Sequence, residues 1–133
     1  MTEFTYVHRV RYRECDPMGV VYHAHYVDYF EAARTEMLRA TGVTYREIEQ
    51  SGISMPVVDL QISYQTPALY DDLLHVLVSV PAEPPTVRLR FSYRVVRPAD
   101  SARIAKGTTT LCFIDQQTGR PRRAPEIALG WHS

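Results

Sequence analysis

A chain of 133 residues, 45% hydrophobic and 23% charged, is long enough to bury one substantial core and too short for two ordinary domains. Fifteen basic residues balance fifteen acidic ones, so charge gives no sign of a nucleic-acid or membrane partner, and no apolar run reaches the ~20 residues that span a bilayer. Cys15 and Cys112 have no metal-ligand spacing and argue against a disulfide scaffold; with an N-terminus that lacks a signal-peptide pattern, they fit a reducing cytoplasm.

Phe4, Tyr6, His8, Val10 and Tyr12 alternate with Thr5, Val7, Arg9 and Arg11, which predicts a strand over 4–12. After a Pro17–Gly19 turn the period changes. Tyr26, Tyr29, Phe30, Ala33, Met37 and Ala40 fall at helical spacing, predicting a helix from about Ala24 to Thr41 with Gly42 as its C-cap. Its polar face carries Asp28, Glu31, Arg34, Thr35 and Arg39. The segment from Val43 to Gly52 suggests one or two short turns. Period two then returns: Val58, Leu60, Ile62 and Tyr64 line one face of a strand that Pro67 ends. Leu74, Val76, Val78 and Val80 mark the next, stopped by "PAEPP", and Val87, Leu89, Phe91, Tyr93 and Val95 the one after. A Thr-rich fifth strand covers Ile104–Asp115, and the tail turns at Thr118–Gly119 towards a short helical finish.

One strand, one long apolar-striped helix, then four strands predict an α+β domain over 1–133, a five-stranded antiparallel sheet curled around a single central helix. One helix cannot cover such a sheet. The outer face keeps Val57, Leu73, Leu77, Val96 and Ile114, so self-association is expected.

The densest chemistry lies in "RECDPMGVVYHAHYVDYF", Arg13 to Phe30. With the following "EAARTEML" it resembles the hotdog-fold acyl-CoA thioesterases of the 4-hydroxybenzoyl-CoA thioesterase and YbgC-like group. The family pattern D-x-x-G-x-V-Y stands here as Asp16, Gly19, Val21 and Tyr22. The resemblance implies hydrolysis of an acyl-CoA to free acid and coenzyme A with no metal or other cofactor. It makes Asp16 the catalytic carboxylate, with Tyr22 and His23 beside it, and the His23 backbone N–H the polarising donor. It implies a homodimer or homotetramer. Gly19 and Val20 would meet the substrate. An acyl-carrier-protein substrate and a non-catalytic acyl-CoA-binding module are the alternatives, the second disfavoured because a pure binder has no need of an acid at position 16.

Independent chemistry agrees with that assignment. Thioester hydrolysis needs a carboxylate that attacks or activates water, and donors aimed at the developing oxyanion. A helix N-terminus beginning a few residues later has unpaired N–H groups at the positive end of its dipole. Asp before Pro-x-Gly is otherwise most often a simple turn cap. A Cys15 thiolate with His23 or His25 is a competing nucleophile, weakened because neighbours on an extended segment point apart. His23 and His25 are poorly placed to share a metal on a helix, where i and i+2 diverge by about 200°; His25 suits a structural role better. Glu31 and Arg34 could pair on the helix surface or meet a partner subunit. Arg88, Arg90 and Arg94 leave one strand face, and with Arg120, Arg122 and Arg123 are candidates for the phosphates of coenzyme A; Arg88 and Arg90 are the first choice.

Overall fold

The computed structural model describes residues 1–126; the expected helical finish of the tail lies outside them. The elements are β1 (Glu3–Arg9), α1 (His25–Ala40), α2 (Tyr45–Gln50), β2 (Ile53–Ser54), β3 (Val57–Tyr64), β4 (Leu73–Ser79), β5 (Arg88–Arg97), β6 (Ala102–Cys112) and β7 (Ile114–Asp115). Five strands form one antiparallel sheet in the order β1-β4-β5-β6-β3, and β2 pairs with β7 in a small second sheet. This is the expected hotdog arrangement.

Helix α1 is buried because its apolar stripe fills the concave face of the sheet. Tyr26, Tyr29, Phe30, Ala33, Met37 and Leu38 are all buried, against Leu74, Val76, Leu89, Phe91, Tyr93 and Leu111 from the strands. Phe30 stacks on Tyr93 with centroids 4.1 Å apart, and Gly107 of β6 makes room for that ring. A Cβ there would lie 2.6 Å from Phe30 Cε2 and 2.5 Å from the Gln61 carbonyl oxygen.

Three expectations need correction. The first strand stops at Arg9 rather than Tyr12, because Tyr12–Glu14 wind into a 3-10 turn that leaves Tyr12 79% exposed. The last strand divides at Phe113, whose burial turns Ile114–Asp115 away to pair with β2. Arg34 is not on a polar face. Tyr45, the first residue of α2, returns to α1, and Arg34 is buried next to Tyr45 and Tyr93, with no ion pair to Glu31 among the described residues. Burial pushes the Tyr45 phenol up to about 12.

Strand β3 is an edge. Val57, Val58, Leu60 and Tyr64 are exposed along it, since α1 packs most closely on β1 and β4, at the other side of the sheet.

Candidate active site

The site is built on the chain between β1 and α1. Glu14, at the end of the 3-10 turn, is a buried carboxylate. Its Oε1 accepts hydrogen bonds from the Arg11 N–H (2.9 Å) and the Tyr29 hydroxyl (2.8 Å) and pairs with His8 Nε2 (2.9 Å). Burial opposes its ionisation, but the bonds from His8, Arg11 and Tyr29 outweigh that and hold the carboxyl below its ordinary range. Tyr6 hydroxyl lies 3.3 Å from His8 Nδ1, so strand, turn and helix meet in one polar cluster. Sequence reasoning missed this cluster. Its signals were His8 on the inward face of β1 and Tyr29 on the apolar stripe of α1, each needing a partner once buried.

The Glu14 carbonyl also accepts the Tyr22 N–H (2.9 Å), which closes the intervening segment into a loop. Within it the Asp16 N–H donates to the Val20 carbonyl (2.9 Å), and the Gly19 N–H donates to the Asp16 carbonyl (2.8 Å). Asp16 Oδ1 accepts from the Met18 N–H (2.9 Å), the turn-cap role, while Oδ2 has no hydrogen-bond partner among the described residues. Gly19 is required by its backbone, at φ +80°, in the left-handed region that glycine adopts without strain. The loop is fastened to the chain before β4: Val21 N–H donates to the Ala68 carbonyl, and Val20 bridges Leu69. Arg97 braces that segment through Asp72 (2.8 Å) and the Pro67 carbonyl (3.2 Å).

Asp16, Cys15 and Gly19 line a cleft of about 400 Å³ with Tyr12 and Tyr70, whose rings meet edge to face at 5.5 Å. Cys15 and Asp16 therefore share a cleft, contrary to the alternation expected of an extended segment, because Cys15 closes the 3-10 turn and the chain bends there. The thiolate that nucleophilic attack needs is nevertheless disfavoured. Burial, then the neighbouring Glu14 and Asp16 carboxylates, push the thiol above its ordinary range.

His23 and Val20 line a second cleft, of about 280 Å³, with Tyr26, Tyr64, Gln65 and Thr66. The Gly19–Val20 peptide is thus the divide between the two. The single chain does not bring Asp16 and His23 into one cavity. Tyr22 is half exposed, with its ring 4.3 Å from that of His23, and Val21 is in the core. Tyr64, the last residue of edge strand β3, donates its hydroxyl to the His23 carbonyl (3.0 Å). Helix α1 starts immediately afterwards with Ala24 as its cap, and the exposed His23 and Ala24 N–H groups have no partner among the described residues. His25 pairs with Asp28 at 3.2 Å on the first turn of α1.

Arg88, Arg90 and Arg94 lie exposed on the outer face of β5, as expected, opposite Cys112, Thr110 and Lys106 of β6 respectively.

Residues 10–131 match the family model of the thioesterase-like superfamily. The chain is 34% identical over 131 residues to the acyl-CoA thioesterase YbgC of Haemophilus influenzae, covering 97% of this chain and 94% of the relative. It is 31% identical over 125 residues to the acyl-CoA thioester hydrolase YbgC of Escherichia coli O6:H1, covering 94% and 92%. Among solved structures it is similar to a DHNA-CoA thioesterase from Staphylococcus aureus, with a TM-score of 0.88 and 30% identity over 99% of this chain and 87% of that one. Sequence, fold and the position of the Asp16 loop at the head of the central helix thus agree, and the chain belongs to the thioesterase-like superfamily as a thioester hydrolase on the hotdog fold.

Proposed function

We propose that the protein is an acyl-CoA thioesterase, converting an acyl-CoA and water to the free acid and coenzyme A, with Asp16 as the catalytic carboxylate. The observation that carries this reading is the unpartnered pair of amides, His23 and Ala24, at the head of α1, next in the chain to a loop presenting the Asp16 carboxylate. The two amides, at the positive end of the helix dipole, take the charge that develops on the thioester oxygen. Asp16 either attacks the carbonyl, expelling the thiolate and leaving a mixed anhydride that water then hydrolyses to the free acid, or draws a proton from a water that attacks the carbonyl directly; in both routes the departing thiolate is protonated as coenzyme A. Carboxylate and amides suffice for this chemistry without a metal or organic cofactor. Tyr22 and His23 orient the acyl group, while Gly19 and Val20 form the ridge over which the thioester lies. The cations on the outer face of β5, Arg88 and Arg90 among them, face the phosphates. Two free cysteines suit work in the cytoplasm.

Self-association completes the site in this reading. Edge strand β3 pairs with its counterpart in a second copy, burying Val58 and Leu60. Because Tyr64 on that edge already touches His23, the partner walls the second cleft. Val7, exposed on β1 beside Leu73 and Leu77 of β4, offers a second contact for a homotetramer. The functional test is thiol release by purified protein from aromatic, short-chain and long-chain acyl-CoAs. Release from at least one class is expected. Release from none would overturn the reading, and release only from acyl carrier protein would change the carrier.

A further inference from the structure

The outer face of the sheet carries a cationic cluster that fold stability does not explain. Arg94 on β5 stands directly opposite Lys106 on β6, and the next row outward pairs Val96 with Arg103. Like charges placed across neighbouring strands destabilise a sheet. No carboxylate stands in that row, which continues through Leu77 and Thr5 on one side and Ser63 on the other; Glu3 lines a neighbouring cleft with Arg94 but makes no ion pair with it among the described residues. Asp100, in the turn between β5 and β6, and Asp72 are both committed to Arg97, at 2.9 and 2.8 Å. Arg94, Arg103 and Lys106 form no ion pair among the described residues. Arg90 differs, because its row runs through Thr110 to Asp59, and a carboxylate shares its surroundings.

The three cations are also gathered in one place. Together with Gln65, Ser101 and Val96 they line a cleft of about 400 Å³ whose polar side chains otherwise carry no charge. Gln65 belongs to this cleft and also to the one lined by His23, Val20 and Tyr64. An extended ligand can therefore pass from the head of α1 along Gln65 to the cations without crossing the sheet.

We infer that Arg94, Arg103 and Lys106 form the principal phosphate subsite, holding the nucleotide end of the substrate while its thioester lies at the head of α1. This rests on the acyl-CoA reading above and assigns which of the basic residues anchor the coenzyme. Two guanidinium forks and an ammonium match a group carrying several phosphate oxygens, and the bound anion relieves the repulsion between Arg94 and Lys106. Held far from the reacting carbonyl, the phosphates contribute binding that is equal in ground and transition states.

The test uses the full chain and two substrates with the same acyl group, an acyl-CoA and the acyl-pantetheine that lacks the nucleotide. Arg94→Gln/Arg103→Gln should raise KM for acyl-CoA about tenfold or more, the loss expected for charge-assisted hydrogen bonds, with kcat nearly unchanged. KM for acyl-pantetheine should stay at the wild-type value. Lys106→Gln should act in the same direction, and both losses should shrink at high salt. Melting curves with and without coenzyme A give a second readout: the ligand should raise the wild-type Tm and raise that of the double variant less. Equal losses on both substrates would overturn the assignment, as would a loss carried by Arg88→Gln/Arg90→Gln and absent from Arg94→Gln/Arg103→Gln. Wild-type protein that hydrolyses neither substrate would instead bring down the thioesterase reading itself.

Discussion

Replacing Glu14 should loosen the fold in a pH-dependent way that can be worked out from its three partners. Glu14→Gln keeps the shape and Oε1 but removes the charge. A hydrogen bond to an ionised group contributes roughly 1.5–3 kcal/mol and a neutral one roughly 0.5–1.5, so His8, Tyr29 and the Arg11 N–H together lose about 3 kcal/mol. The amide is cheaper to bury than a carboxylate, which returns part of this, leaving a net loss of about 1–2 kcal/mol. For a domain of this size that lowers Tm by roughly 4–8 °C. Glu14→Ala, which orphans all three donors, should cost about 3–5 kcal/mol. Because the folded carboxyl titrates below its unfolded value, the stability supplied by its charge is fully present above pH ~4.5 and is lost as pH falls through the lower folded pKa. The wild-type advantage over Glu14→Gln in urea titrations should therefore be constant from pH 7 to about pH 5 and should shrink towards pH 3. Equal stability at pH 7, or an advantage that widens on acidification, would mean that the Glu14 charge does not hold this cluster together.

Gly107→Ala should destabilise by ~3 kcal/mol, about 10 °C in Tm, because the new methyl meets the Gln61 backbone and the Phe30 ring; wild-type melting would mean that β3 or the ring can move aside. Val58→Lys/Leu60→Lys, which charges the exposed edge of β3, should halve the mass seen by light scattering and lower activity together, whereas a fully active monomer would contradict the proposed subunit contact. Cys15→Ser should keep most of its hydrolytic activity, measured as thiol release from the best acyl-CoA, since burial and adjacent carboxylates disfavour the thiolate.

The fold was readable from period alone wherever one face is buried throughout. The alternation of Leu89, Phe91, Tyr93 and Val95 and the stripe from Tyr26 to Met37 each encode an element and its inward face. What escaped depended on contacts between distant segments. Arg34 has polar neighbours in sequence, yet α2 and β5 enclose it; nothing local signals that Tyr45 will return to it. The alternation through Tyr12 continued past the true end of β1 because a 3-10 turn can follow a strand without a break in pattern. At the site, the motif identified the loop and the helix head. Local spacing did not reveal that Gly19 and Val20 separate Asp16 from His23, or that Lys106 and Arg103 would join Arg94 across a strand pair.

Asp16→Asn asks whether the Asp16 carboxylate carries out the hydrolysis, measured as kcat/KM for the best acyl-CoA on protein whose circular dichroism and Tm match wild type. The amide keeps Oδ1 for the Met18 N–H, so the loop should hold while the carboxylate is lost. A fall of ~10²–10⁴-fold or more is expected, with Cys15→Ser still active in parallel. Wild-type turnover by Asp16→Asn, or an inactive Cys15→Ser beside an active Asp16→Asn, would contradict a catalytic role for Asp16.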